Sequence, residues 1–77
     1  MKTLEDLRSK ILEKESISQV EYVYMPGDYY AFIFRKKDNP TKRYSVSVKA
    51  ITYNLTDGSL VMSEDDFNNA VYWCNRI

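Results

Sequence analysis

The chain has 77 residues, 11 basic and 11 acidic side chains, no histidine and a single cysteine. This composition excludes a disulfide framework and a zinc site, and the net charge of zero argues against a general nucleic-acid binder. A chain this short reads as one domain, residues 1–77, that buries only about 60% of its unfolded surface, so its aromatics and aliphatics must supply the core.

The zero net charge conceals a pattern. Residues 1–34 carry four basic and six acidic side chains, residues 35–49 six basic and one acidic, and residues 50–77 one basic and four acidic. The middle is positive and both ends are negative. No apolar run approaches membrane-spanning length, and Met1-Lys2 leads straight into a charged helix where a secretory leader would be apolar. With one cysteine, this predicts a reducing, cytoplasmic location and no membrane partner. The frequent Lys, Asn, Ile, Tyr and Phe, residues with AT-rich codons, point to a low-GC bacterium or its phage.

Residues 3–15 read as a helix. Thr3 is a good N-cap and Asp6 stands where a capping box places its acid. Leu4, Leu7 and Ile11 share one face with Leu12 beside it, a narrow stripe suited to lying on a sheet. Residues 19–25 alternate as a first strand, with Val20, Tyr22 and Tyr24 on one face and Gln19, Glu21, Val23 and Met25 on the other. Met25-Pro26-Gly27-Asp28 carries the type II turn signature, Pro then Gly.

The second strand, residues 29–36, contains the stretch around which the rest is organised. Tyr30, Phe32 and Phe34 face one way; Tyr29, Ala31 and Ile33 face the other. An apolar pattern on both faces predicts the middle of a sheet, covered on both sides or covered on one and offering aromatics on the other. Residues 37–42 read as a loop, because Asn39-Pro40 disfavours pairing. A third strand begins near Arg43, with Tyr44, Val46 and Val48 inward and Arg43, Ser45, Ser47 and Lys49 outward. The parity flips at Ala50, which predicts a bulge near Lys49-Ala50. Asp57-Gly58 predicts a tight hairpin returning through Leu60-Val61-Met62 as a short fourth strand. Ser63 opens the last helix with Glu64, Asp65 and Asp66 in its first turn, and Ser63 with Asp66 resembles a capping box. Phe67, Ala70, Val71 and Cys74 form its apolar stripe, Trp73 and Ile77 flank it, and Tyr72 falls on the opposite side.

The expected fold is α+β: a two-layer sandwich in the order α-β-β-β-(β)-α, with an antiparallel meander of three to four strands packed on two helices and one sheet face open.

Four features compete as sites. Arg35, Lys36, Lys37, Lys42, Arg43 and Lys49 form a basic stretch that suits phosphates or an acidic protein surface; the same residues also keep a loop soluble and blunt strand edges. Glu64, Asp65 and Asp66 stabilise a helix start, yet three acids exceed what capping needs and suit a basic protein groove. Seven tyrosines are more than a core of this size takes up. Tyr72 and the face carrying Tyr29, or that carrying Tyr22 and Tyr24, are the exposed candidates for partner contact, against ordinary strand packing and base stacking. Cys74 has no base near it in sequence and sits on the apolar stripe, so it reads as a structural thiol. No phosphate-binding glycine loop, metal set or cofactor motif is present, and the expectation is a non-enzyme.

The α-β-β-β-α order resembles the double-stranded RNA-binding domain over the whole chain. That family opens its last helix with a Lys-Lys pair that grips phosphates, where this chain has Ser63-Glu64-Asp65-Asp66, so no functional residue is carried across. The same order, size and acidic decoration are similar to small phage-encoded inhibitors, including some anti-CRISPR proteins. That likeness implies blocking of a host protein surface or a nucleic-acid groove. The leading expectation is therefore a protein-binding inhibitor module using Tyr72, Glu64, Asp65, Asp66 and Tyr29. The alternative is a nucleic-acid binder using the basic stretch. Exposed strand edges also pair between copies, which makes a homodimer a further expectation.

Overall fold

The computed structural model describes residues 2–49, 52–53 and 60–77. Its elements run β1 (Lys2–Thr3), α1 (Leu4–Leu12), β2 (Ile17–Met25), β3 (Tyr29–Lys36), β4 (Asn39–Lys49), β5 (Thr52–Tyr53), β6 (Leu60–Met62) and α2 (Glu64–Arg76). The fold is α+β. An antiparallel meander in the order β2-β3-β4 forms the main sheet, and β1-β6-β5 forms a small second one.

Helix α1 starts where Thr3 and Asp6 place it. The Thr3 hydroxyl accepts from the Asp6 N–H at 3.0 Å, and the Asp6 carboxylate accepts from the Thr3 N–H at 2.9 Å. That complete capping box satisfies two backbone donors the first turn leaves without partners. Leu4, Leu7 and Ile11 are buried as the periodicity predicts, and Leu12 is exposed. The helix is shorter than its pattern: it ends at Leu12 with Glu13 as its cap, because β2 begins already at Ile17.

The main sheet keeps one register from Gln19 to Met25 on β2 and from Tyr44 to Lys49 on β4, with a shift at Ile17/Gln19 on β2 and another at Phe34/Lys36 on β3. Val20 pairs with Phe34, Tyr22 with Phe32 and Val23 with Ala31 across β2 and β3. Phe34 pairs with Tyr44, Phe32 with Val46 and Tyr30 with Val48 across β3 and β4. Alternation then sends Val20, Phe32, Phe34 and Val48 to the face covered by the helices, where they join Leu4, Leu7, Ile11, Met62, Phe67, Ala70 and Cys74 in one core cluster. Phe32 and Phe34 have no exposed surface. Aromatic rings line this face from end to end: Tyr24 against Tyr30, Tyr22 against Phe32, and Phe34 stacked on Tyr44 at 5.6 Å between centroids.

Three local expectations are corrected. The second hairpin loop is only Lys37-Asp38, since Lys36 pairs with Asn39 and β4 takes in the expected loop residues Asn39, Pro40, Thr41 and Lys42. Pro40 is tolerated there because β4 is an edge strand, where a missing N–H need not break a ladder; its carbonyl accepts from Arg35 Nη1 at 2.9 Å. In the first hairpin Gly27 has φ +84°, as a type II turn asks, but Asp28 also has a positive φ of 63°, a conformation Asp adopts more readily than most residues. The strand at Leu60–Met62 does not extend the meander. It pairs with β1 on one side and β5 on the other, Thr3 against Val61 and Tyr53 against Leu60. The expected bulge at Ala50 and the Asp57-Gly58 turn lie outside the described residues.

Candidate functional site

The face of the main sheet turned away from the helices is apolar at one end. Register sets Met25 beside Tyr29 and Val23 beside Ala31, and Lys49 and Ser47 complete these rows on β4. Val23, Met25 and Tyr29 are each more than two-fifths exposed. Glu21, Ile33 and Ser45 form the next row, and beyond it the face becomes basic with Arg35 and Arg43.

Helix α2 presents a second aromatic group. Its buried stripe is Phe67, Ala70 and Cys74, which forces Tyr72 and Trp73 outward, at 51% and 55% exposure. The two rings meet edge to face at 5.4 Å. Arg76 lies over the Tyr72 ring and donates from Nη1 to its hydroxyl at 3.0 Å, fixing an aromatic–cation pair on the outer surface. Asp65 is two helical turns before Tyr72, on the same side.

These two groups meet at a groove of about 370 Å³ between α2 and the free edge of β4. Residues 46–49 form one wall, Asp66, Asn69, Ala70 and Trp73 the other, and Tyr29 stands among the lining side chains. Of the partner candidates, Tyr29 and Asp66 line the groove, Tyr72 stands next to it through Trp73, and Glu64 and Asp65 are exposed at the start of α2. The Ser63 hydroxyl accepts from the Asp66 N–H at 3.1 Å, so the cap itself rests on Ser63.

Five of the six basic candidates gather around the second hairpin, and Lys49 stands apart. Lys36 and Lys42 both lie over the Tyr44 ring, with ammonium groups 5.1 and 5.0 Å from its centre. Lys36 also donates to the Ile77 carbonyl, and Lys14 donates to the Asn75 carbonyl at 3.3 Å, so two lysines meet the negative end of α2. Arg35 is held by Pro40, Lys37 is in the hairpin turn, and Arg43 opens onto the uncovered face. Lys49 is six residues from Arg43, about 20 Å along an extended strand.

Cys74 is buried, and desolvation pushes its thiol up to about 11 against an opposing pull from Lys14. A thiol in that state is neutral and inert near pH 7. The Asp6 carboxyl is held below its ordinary range, chiefly by the Thr3 N–H. No group of three or more His, Cys, Asp or Glu among the described residues could hold a metal ion. No helix among them is long and apolar enough to cross a membrane.

Trp73, expected only as a flank of the buried stripe, is a groove residue: it stands three residues after Ala70 and one before Cys74, which leaves a large ring at the rim of the stripe. The groove had no sequence signal, since it depends on how far α2 stands from β4. No family model, curated protein or solved structure matches this chain.

Proposed function

We propose that this chain is a small non-enzymatic module that binds another protein. The observation that carries the reading is the meeting of Tyr29 and Trp73, both about half exposed, at one groove, with Val23 and Met25 extending the apolar surface on one side and Tyr72 on the other. Exposed apolar side chains gathered at one place mark interaction surfaces, and large rings carry binding energy at low entropic cost. The exposed acids Glu64 and Asp65 give the helix end of this surface a negative rim. Arg35 and Lys36 already hold carbonyls and Lys49 lies about 20 Å along the strand from Arg43, which favours this reading over a continuous phosphate-binding track. The AT-rich residue usage and the likeness to small phage-encoded inhibitors extend the proposal to a cytoplasmic inhibitor, anti-CRISPR-like, encoded by a phage or mobile element and acting on a host protein.

The test is a pull-down with tagged chain from low-GC bacterial lysate, with and without nuclease, repeated with Met25→Lys and Tyr72→Ala. A stoichiometric protein that survives nuclease and is lost with either variant supports the reading. Recovery that vanishes with nuclease, or is indifferent to both variants, overturns it.

A further inference from the structure

The two edges of the main sheet end differently. On β2, Arg8 reaches from α1 and donates from Nε to the Val20 carbonyl at 3.0 Å. That carbonyl therefore points out of the sheet. In an antiparallel ladder, successive residues turn their N–H and C=O to alternate sides. With the Val20 groups outward, those of its partner Phe34 turn to β4 and meet Tyr44. Tyr44, Val46 and Val48 thus spend their backbone groups on β3. Ser45, Ser47 and Lys49 direct theirs off the free edge. Among the described residues, no side chain caps that edge as Arg8 caps the other.

The free edge faces α2 across the groove. Side chains on its two sides differ in kind. Arg43, Ser45, Ser47 and Lys49 belong to the uncovered, partly basic face. Val46 and Val48 belong to the covered face, toward Ala70 and Trp73.

We propose that this groove takes an extended segment of a partner protein as a fourth strand on β4. The segment carries apolar side chains on the face toward Trp73 and Ala70, and carboxylates on the face toward Arg43 and Lys49. Backbone hydrogen bonds to Ser45, Ser47 and Lys49 supply affinity, and the alternating pockets supply specificity. Charge selects this occupant over a second copy of the chain. The charged residues of β4 are Lys42, Arg43 and Lys49, all basic. The described strands hold a single carboxylate, Glu21, on the strand whose outer edge Arg8 already meets. The proposal rests on the protein-binding reading above and names the shape and chemistry of the partner.

The probe is a fluorescein-labelled peptide of alternating Val and Glu, followed by anisotropy. Three companions replace Glu by Lys, methylate the amides of the Val residues, or methylate those of the Glu residues. Saturable binding is expected for the parent peptide, with loss on Glu→Lys replacement. Methylating one alternate set of amides should abolish binding and methylating the other should leave it, because only one set turns toward β4. Ser47→Pro removes an outward N–H at an edge, where proline is tolerated, and Trp73→Ala removes the exposed ring; each should weaken binding about tenfold or more while circular dichroism stays native. No saturable binding of the parent peptide, or equal effects of the two methylated peptides, overturns the proposal. So does a dimer in sedimentation that Ser47→Pro dissociates, since a second copy then fills the edge. A lysate partner retained by Ser47→Pro but lost with Met25→Lys leaves the protein-binding reading standing and removes strand addition alone.

Discussion

Arg8 Nε lies 3.0 Å from the carbonyl oxygen of Val20, tying α1 to the outer edge of β2. The same guanidinium lies 3.2 Å from Glu5, one turn earlier on the helix. The two contacts differ in worth. The carbonyl bond is partly buried and charge-assisted, whereas the Glu5 pair is exposed and screened.

Arg8→Met keeps most of the side-chain stem and removes the donor. It is expected to cost about 1–2 kcal/mol, and Glu5→Ala less than about 0.5 kcal/mol. Thermal melting of the two variants checks this. Equal losses would show that Arg8 acts through its helix partner and that Val20 needs no donor.

The capping box at α1 carries a pH dependence. Asp6 is held below its ordinary value of 3.8 by the Thr3 N–H. A carboxyl depressed in the folded state contributes stability above its unfolded value, and that contribution is lost as pH falls through the folded one. Urea midpoints of the native chain should therefore drop more between pH 5 and pH 2 than those of Asp6→Asn. Thr3→Ala should cost about 1 kcal/mol near neutrality. Parallel pH curves for the native chain and Asp6→Asn would refute the account.

Cys74 works in the opposite direction. Burial raises its folded value to about 11 from 9.0, so its contribution is complete below pH 9 and is lost as pH rises through 9 to 11. The loss should reach roughly 2–3 kcal/mol, since each tenfold change in proton affinity is worth about 1.4 kcal/mol, and Cys74→Ala should not show it. Native chain should also react with a thiol reagent only at the rate at which it unfolds. Prompt labelling at pH 8 would place the thiol at the surface.

The centre of the core is Phe32 and Phe34. Either one changed to Ala should cost about 3–5 kcal/mol, a large share of the roughly 4–12 kcal/mol that 0.05–0.15 kcal/mol per residue allows a domain of this size. Each variant should lower the melting midpoint by roughly 12–40 °C in circular dichroism, at about 4–8 °C per kcal/mol for a chain of this size. Tyr72→Ala, on the surface, should melt within a few degrees of the native chain. A cooperative, near-native melt of Phe32→Ala would mean that the helices do not depend on this sheet face.

The elements that proved legible were those with a long period or a local chemical signal. Thr3 and Asp6 announce α1 because capping is decided within four residues. Residues 29–36 announce a central strand because both faces are apolar, and Phe67, Ala70 and Cys74 mark the buried side of α2. The errors fall where local preference meets tertiary context. Asn39-Pro40 looks like a loop until β4 is known to be an edge. Lys2–Thr3 is too short for any period and becomes a strand only because β6 lies beside it.

Sequence alone determined the composition of the core, the hairpin order and the cap of the first helix, because alternation, helical period and capping act between near neighbours. Tertiary packing set the rest: Leu60–Met62 leaves the meander, Trp73 and Tyr29 line one groove, and one sheet edge meets Arg8 while the other faces that groove. Those outcomes depend on which distant segments come to lie side by side, and no spacing along the chain encodes the distance between α2 and β4.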